Sequence, residues 1–245
     1  MHSPEWKVYY DGTIYGHSGK SKAGIEIPIE KEFSFAGRTW IVPAAYSCTK
    51  GLVIDFCMRV DLDKFKAYWA KWSDKYDDRL NGRERMLSYL ENPLHFEFAP
   101  KVTVNGKTLK RRNSSGICYI PGDSSEQETR YIAEHYHLNQ NFAWSLSRVC
   151  FPWSSARRPE IKSMELTMIQ EPVRVPGKVF EATRPGEQID LEIPGHPITL
   201  TVKDIEPQNL DTSMISADGM EYPFCYSVLM EAYVLSNQVA GKILI

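Results

Sequence analysis

The sequence predicts a mainly β fold of the α+β class, and two observations carry that prediction. First, apolar and polar residues alternate over 188–193 and again over 198–203, on either side of a Pro-Gly-His-Pro turn. Successive side chains of a strand point to opposite faces, so this alternation indicates strands with one buried face. Second, prolines recur through 152–223, which leaves no room there for a long helix. We expect two antiparallel β subdomains or one large β-sandwich.

The first sixty residues show the same kind of pattern. Residues 5–30 indicate β-hairpins, because Asp11-Gly12 follows a β-prone run and favours a two-residue turn. A turn at 36–38 between two further apolar runs predicts another hairpin. Residues 52–60 combine a wholly apolar face with a mixed face. That pattern predicts a strand near the centre of a sheet.

A helical insertion is expected at about 61–91. Five large apolar residues follow the spacing that places them on one side of a helix, namely Leu62, Phe65, Trp69, Trp72 and Tyr76. Asp61 can cap this helix, and a second short helix follows at 84–90. Because five such side chains cannot all stay in water, Trp69 and Trp72 are expected to be buried. Trp69→Ala is then expected to cost about 3–5 kcal/mol of folding free energy.

Further elements are predicted beyond residue 100. Asn105-Gly106 between β-prone runs predicts a hairpin, because this dipeptide tolerates positive φ angles. A short helix is expected at about 124–137, where Gln127 is placed to form a capping box with Ser124. The domain prediction is an N-terminal β subdomain with the helical insertion at 1–139 and a proline-rich antiparallel β subdomain at 140–245. A single composite domain fits the same pattern.

Composition narrows the classes of function. The chain has 29 Lys and Arg against 31 Asp and Glu, a net charge of −2, so no general attraction to nucleic acid or to a membrane is expected. Five widely spaced cysteines argue against a disulfide framework or a zinc site. The sequence shows neither a signal peptide nor an apolar run that would span a bilayer. We expect a cytoplasmic protein with reduced cysteines and without metal or cofactor, although a secreted chain that had lost its leader would look the same.

Two short motifs resemble catalytic signatures but lack the required context. Residues 19–21, Gly-Lys-Ser, resemble the end of a phosphate-binding loop, yet Ile14 stands where that loop needs a glycine and a strand pattern follows. Ser47 and Lys50 match the S-x-x-K spacing of penicillin-recognising enzymes, yet their neighbours indicate an extended segment. Neither motif is interpreted as a site.

Two closely spaced histidines, His135 and His137, are candidate metal ligands. On a strand they would face the same way, whereas on the predicted helix they diverge. We interpret them as residues at the end of a helix.

A basic segment at 101–112 is the first candidate site. It contains five cations and no acid: Lys101, Lys107, Lys110, Arg111 and Arg112. Such a loop can contact phosphate or nucleic acid. It can equally face the acidic segment 181–221 of the same chain, or simply be solvated.

The loop 152–158 is the second candidate. Trp40, Trp69, Trp72 and Trp144 are expected in the core, which leaves Trp6 and Trp153 as the candidates for exposure. Trp153 beside Arg157 and Arg158 offers a flat apolar face and bidentate donors, suited to an acidic peptide, a phosphate-bearing ligand or a sugar acid. Alternatively, Trp153 folds back as a lid over the end of the sandwich.

These observations favour a function without catalysis. We expect a binding or protein-interaction module whose partner is a protein or a small anionic ligand. The alternative is a hydrolase whose site is assembled from residues distant in sequence, as catalytic triads are defined in space rather than along the chain.

Overall fold

The computed structural model describes residues 6–17, 19–73, 80–123, 126–155, 157–176, 178, 180–181, 183–190, 199–202 and 239–244. Within these ranges the chain forms eleven strands and three helices. The strands are β1 (Ile25–Phe35), β2 (Arg38–Ser47), β3 (Gly51–Asp61), β4 (Phe98–Val104), β5 (Lys107–Leu109), β6 (Asn113–Tyr119), β7 (Phe142–Pro152), β8 (Met164–Gln170), β9 (Gln188–Asp190), β10 (Thr199–Thr201) and β11 (Val239–Leu244). The helices are α1 (Leu62–Trp72), α2 (Gly82–Glu91) and α3 (Glu126–His135).

The strands form antiparallel sheets, which confirms the predicted fold class. The larger sheet has the order β1-β2-β3-β7-β6, and a second sheet has the order β11-β8-β4-β5. Strands β9 and β10 form a separate pair. Both larger sheets combine strands from either side of residue 140, because β7 lies between β3 and β6 while β8 lies between β11 and β4.

The main core lies between the two larger sheets. Alternate residues of β3 point into it and are buried: Leu52, Ile54, Phe56, Met58 and Val60. From the second sheet, the ring of Phe98 lies 4.9 Å from that of Trp40 and 5.3 Å from that of Phe56. The predicted position of residues 52–60 near the centre of a sheet is confirmed, since β3 is the third of five strands.

The other face of the five-stranded sheet is covered by α3 and by residues 6–17. The Asp11-Gly12 turn is present, since the amide of Gly12 donates to the carbonyl of Tyr9 at 3.2 Å. The predicted hairpin around it is wrong, because residues 8–10 form no strand. Val8 and Tyr10 are buried against this face instead, and that burial replaces pairing as the source of stability.

Helix α1 buries most of the predicted stripe, since Trp72 is buried and Leu62 and Phe65 pack partly buried against the main core, but Trp69 departs from it. Tyr68 and Trp72 are buried, whereas Trp69 is 50% exposed and stacks on Phe65 at 6.1 Å. The prediction that Trp69 belongs to the core is therefore wrong. Helix α2 selects the buried side, because the hydroxyls of Tyr68 and Ser88 hydrogen-bond across the two helices at 3.1 Å. Residues four positions apart share a face, so Tyr68 and Trp72 are buried together.

Local signals are otherwise confirmed in the insertion and in the next hairpin. Asp61 stands at the N-cap of α1, without a side-chain capping bond. Asn81 caps α2 in a full capping box with Glu84. Asn105 and Gly106 adopt φ angles of 49° and 77°, as the β4–β5 turn requires.

Some predictions fall outside the described residues. These are the positions of Tyr76, Ser124 and Cys225, the capping box of α3 and the strand residues 191–193 and 198. The adjoining part of the predicted hairpin is confirmed, since Ile189 of β9 pairs with Leu200 of β10.

Candidate functional site

A cleft opens at one end of the sandwich because small residues line that part of the sheet. Residues that lie directly opposite each other on β6 and β7 share one face of the sheet. Val149, which is buried in the main core, lies on this face opposite Ser114. On this face the two strands present Ser114, Gly116, Cys118, Ser145 and Ser147. These side chains cannot fill the space that large apolar residues fill elsewhere between the sheets. The result is a cleft of about 500 Å³.

The opposite wall of the cleft carries the charged groups. It is formed by residues 94–98, which lead into β4, together with Arg111 and Glu171. Nη2 of Arg111 lies 3.3 Å from Oε1 of Glu171, and Nε2 of His95 lies 3.3 Å from Oε1 of Glu97. Both contacts are partly exposed, so water screens the ion pair of Arg111 and Glu171, and neither contact contributes much to stability. A ligand can therefore replace either contact at a low cost in free energy.

Two further contacts fix the orientation of these groups. Nη1 of Arg111 donates to the carbonyl of Phe98 at 3.1 Å, which holds the guanidinium at the wall. The hydroxyl of Tyr89 donates to Oε1 of Glu97 at 2.6 Å. Desolvation, together with Glu97, raises the pKa of Tyr89 to about 12. The pKa of His95 is lowered by desolvation, against the opposing effect of Glu97, so the imidazole is neutral at pH 7.

The cleft continues into a second groove. A space of about 740 Å³ lies between α2 and residues 171–174, and Glu97 and Glu171 line both spaces. Arg85, Met86 and the half-exposed ring of Tyr89 form its α2 side. The two spaces adjoin at Glu97 and Glu171, and both positive and negative side chains lie at their walls.

The predicted basic segment is divided between two surfaces. Arg111 lines the cleft, whereas Lys107 lines a separate cavity of about 130 Å³ beside Trp153. Lys110 and Arg112 are exposed between β5 and β6. The described anionic partner of Arg111 is Glu171, which lies outside the acidic segment 181–221.

The predicted loop site is built differently from the cleft. Strand β7 ends at Pro152, where the candidate loop begins. The ring of Trp153 is half-buried against the main core, and its Nε1 donates to the carbonyl of Cys48 at 2.9 Å. Arg157 is exposed, and Nη1 of Arg158 lies 3.4 Å from the carbonyl of Ser47. Only the small cavity adjoins Trp153 among the cavities described, so this loop offers less room than the cleft.

The motifs that lacked catalytic context are loops and turns. Residues 19–21 precede β1 without a helix, and the hydroxyl of Ser21 donates to Asp11 at 2.6 Å. Ser47 ends β2, and Lys50 lies in the turn to β3. His135 ends α3 and stacks on Trp6 at 4.5 Å. The described residues contain no group of three or more His, Cys, Asp or Glu that could hold a metal ion.

A buried polar network beneath residues 6–17 was not predicted. Arg148 of β7 donates twice to Asp55 of β3, at 2.8 and 2.6 Å. The hydroxyl of Tyr136 donates to Asp55 at 2.6 Å, and the hydroxyl of Tyr46 lies 2.8 Å from that of Tyr136. Since Tyr136 gives its proton to Asp55, Tyr46 donates to Tyr136. One sequence signal for this network was available: Asp55 and Arg148 are charged residues in the middle of otherwise largely apolar strands.

This network also corrects the prediction for Trp6. Trp6 is half-buried rather than exposed, because its Nε1 donates to the hydroxyl of Tyr46 at 2.7 Å. Burial raises the pKa of Tyr46 and, with the charge of Asp55, that of Tyr136. Burial alone would lower the pKa of Arg148, but Asp55 outweighs it and the pKa is raised. The network is thus a paired, structural set of groups that anchors the N-terminal segment.

Comparison of the chain with family models, with curated proteins and with solved structures found no match. The described part of the chain contains no helix that is both long and apolar enough to cross a membrane.

Proposed function

We propose that this protein is a non-catalytic binding module that takes a segment of a partner protein in the cleft beside β6 and β7. The observation that carries the proposal is the open cleft of about 500 Å³ whose charged wall is already oriented. Ligand sites are commonly concave, partly apolar and furnished with a few fixed polar groups. This cleft has Phe96 and Phe98 beside Arg111 and Glu97.

The contact between the two spaces favours an extended ligand. The cleft and the neighbouring groove share Glu97 and Glu171, so a ligand can run from one to the other. A peptide carries donors and acceptors along its whole length, which suits walls that alternate between cation and anion. A small anion would leave Glu97 and Glu171 without a favourable contact.

The thiol in the cleft supports binding rather than nucleophilic catalysis. Cys118 is exposed as a residue, yet desolvation around its sulfur raises the pKa of the thiol. A reactive cysteine needs the opposite shift, because the thiolate is the nucleophile.

The test is a selection of random peptides from a display library on the immobilised protein. Enriched peptides should bind the wild type and lose affinity for Ser147→Trp, which fills the cleft with a large ring. Ser34→Trp is the matched control, because Ser34 is exposed on β1 at the far edge of the same sheet. Enriched peptides that bind both variants equally well, or a failure to enrich any peptide, would overturn the proposal.

A hydrolase remains the second candidate, and the pair Glu97 and Glu171 favours it. Two carboxylates lie at one cleft beside His95 and Tyr89, which is a set of groups used in acid–base chemistry. A screen of ester, phosphate and glycoside substrates tests it. Turnover that Glu97→Gln abolishes would replace the binding proposal with this one.

A cytoplasmic location belongs to the same proposal. It is supported by Cys48, Cys57, Cys118 and Cys150, which are free thiols. Unpaired cysteines are typical of a reducing compartment.

A further inference from the structure

The two edges of the five-stranded sheet differ in how they are protected. Strand β1 carries Pro28, a register shift between Pro28 and Lys31, and a positive φ angle of 51° at Glu30. Charged residues, prolines and bulges at an edge prevent the addition of another strand. Strand β6 forms the other edge, and its sequence Asn-Ser-Ser-Gly-Ile-Cys-Tyr contains neither a charge nor a proline.

Residues 14 and 15 contact β6: the amide of the buried Ile14 donates to Oγ of Ser115 at 3.0 Å, and the exposed Tyr15 makes the contact that is more easily displaced. The carbonyl of Gly116 accepts a hydrogen bond of 3.2 Å from the hydroxyl of Tyr15. Tyr15 is 66% exposed, so little packing holds its ring in place. An amide of an incoming strand can take the place of that hydroxyl. Within the described residues, β7 is the strand that pairs with β6.

The residues that precede β6 are positively charged. Lys110, Arg111 and Arg112 immediately precede the strand and are all exposed. No ion pair to Lys110 or Arg112 is found in the part of the chain that the structure describes. A chain lying along β6 would therefore pass the exposed side chains of Lys110 and Arg112 at the Asn113 end, which favours acidic residues in that chain.

We infer that β6 binds an extended acidic peptide by strand addition, with alternate side chains of the peptide entering the cleft. Main-chain hydrogen bonds to an open edge supply affinity in this mode, and pockets for alternate side chains supply specificity. Ser114, Gly116 and Cys118 line the cleft from β6, so the edge and the cleft belong to one surface. This inference rests on the proposed function and names its ligand class.

The probe is a synthetic peptide in which glutamate alternates with valine, and its binding is measured by isothermal titration calorimetry. A peptide with lysine in place of glutamate tests the charge requirement. Two N-methylated versions test the main chain, one methylated at the odd amides and the other at the even amides. In an added strand only every second amide faces β6, so only one of the two methylated peptides should lose its hydrogen bonds to β6. The other methylated peptide is then the matched control.

The inference predicts three results. The acidic peptide binds at least about tenfold more tightly than the lysine peptide, and only one methylated version loses binding. Lys110→Glu with Arg112→Glu weakens binding about tenfold, since each substitution replaces an attraction with a repulsion. The matched control, Lys64→Glu with Lys66→Glu on α1, changes affinity by less than about twofold, because exposed residues away from a site have small effects.

Equal binding of both methylated versions, or of the acidic and basic peptides, would overturn strand addition. Sedimentation that shows a dimer with its interface at β6 would assign this edge to a second copy of the chain. That result would also overturn the inference that β6 binds a peptide. The proposed function is tested separately. If library peptides bind the cleft and Ser147→Trp blocks them while methylation has no effect, the binding module stands and strand addition fails.

Discussion

The guanidinium of Arg148 and the carboxylate of Asp55 form a bidentate pair across β7 and β3, with side chains only 4% and 3% exposed. Nη1 of Arg148 also donates to the carbonyl of Thr13 at 3.2 Å. Its guanidinium lies 5.5 Å from the centre of the Trp6 ring. One buried ion pair thus connects the central strands to the segment that covers them.

We predict that removing one partner of this ion pair strongly destabilises the fold. Arg148→Met leaves the carboxylate of Asp55 buried without its cation, and should cost about 3–5 kcal/mol of folding free energy. Asp55→Leu combined with Arg148→Met should recover much of that loss, because neither charge is then stranded. Urea denaturation of the single and double variants measures the difference. A single variant that loses less than about 1 kcal/mol would contradict the burial of the pair.

The corrected stripe of α1 gives a second prediction. Trp72→Ala removes a buried ring and should cost about 3–5 kcal/mol. Trp69→Ala removes a half-exposed ring and should cost less than about 1 kcal/mol. Chemical denaturation of the two variants compares them under the same conditions. Equal losses would mean that both rings are buried in solution.

A third prediction concerns pH and the contact between α1 and α2. Glu91 accepts hydrogen bonds from Lys71 at 2.6 and 2.8 Å and from Trp72 at 2.9 Å. The bond from Lys71 lowers the pKa of Glu91 most, so its stabilising effect is present above the ordinary pKa of 4.5. It is lost as the pH falls through the lowered pKa of the folded state.

Glu91→Gln should therefore be less stable than the wild type at pH 7, by about 0.5–1 kcal/mol because the pair is partly exposed. The difference should vanish in strongly acidic solution, where the wild-type carboxyl is protonated. Thermal unfolding at several pH values checks this. A difference that does not depend on pH would show that the charge of Glu91 is not the cause.

The thiols give a fourth prediction. Mass spectrometry without reductant should show five free thiols, including Cys225. Among the four cysteines that the structure describes, Cys118 should react first with an alkylating reagent in the native protein, because Cys48, Cys57 and Cys150 are buried. Burial raises the pKa of Cys57 well above its ordinary value and that of Cys48 to about 11, which slows both further. Rapid labelling of Cys57 before Cys118 would contradict this order.

The strands and turns were largely predictable because their signals are local. Alternation located β3, and Asn105-Gly106 located the β4–β5 turn. The burial of Trp72 was predictable, but the burial of Tyr68 in place of Trp69 was not, because both fit a helical stripe and contacts with α2 choose between them. The hairpin prediction within residues 6–17 failed for a similar reason. The apolar residues of this segment pack against a sheet that the local sequence does not reveal.

The candidate site was predictable only in part. Arg111 stood out in a basic segment, but its cleft depends on small residues of β6 and β7 that are aligned only by strand register. Glu97 and Glu171 are distant in sequence and meet where the amide of Glu171 donates to the carbonyl of Glu97 at 3.1 Å. No spacing rule connects such positions, since sheet topology brings them together.

The most direct test of the binding site is a map of amide chemical shifts. Isotope-labelled protein is titrated with a peptide enriched by the display selection, and the shifted amides are assigned. We expect the shifts to cluster at Gly116, Ser147 and Glu97, around the cleft. Shifts confined instead to the loop of Trp153, Arg157 and Arg158 would place the ligand in the other predicted site and contradict the central claim.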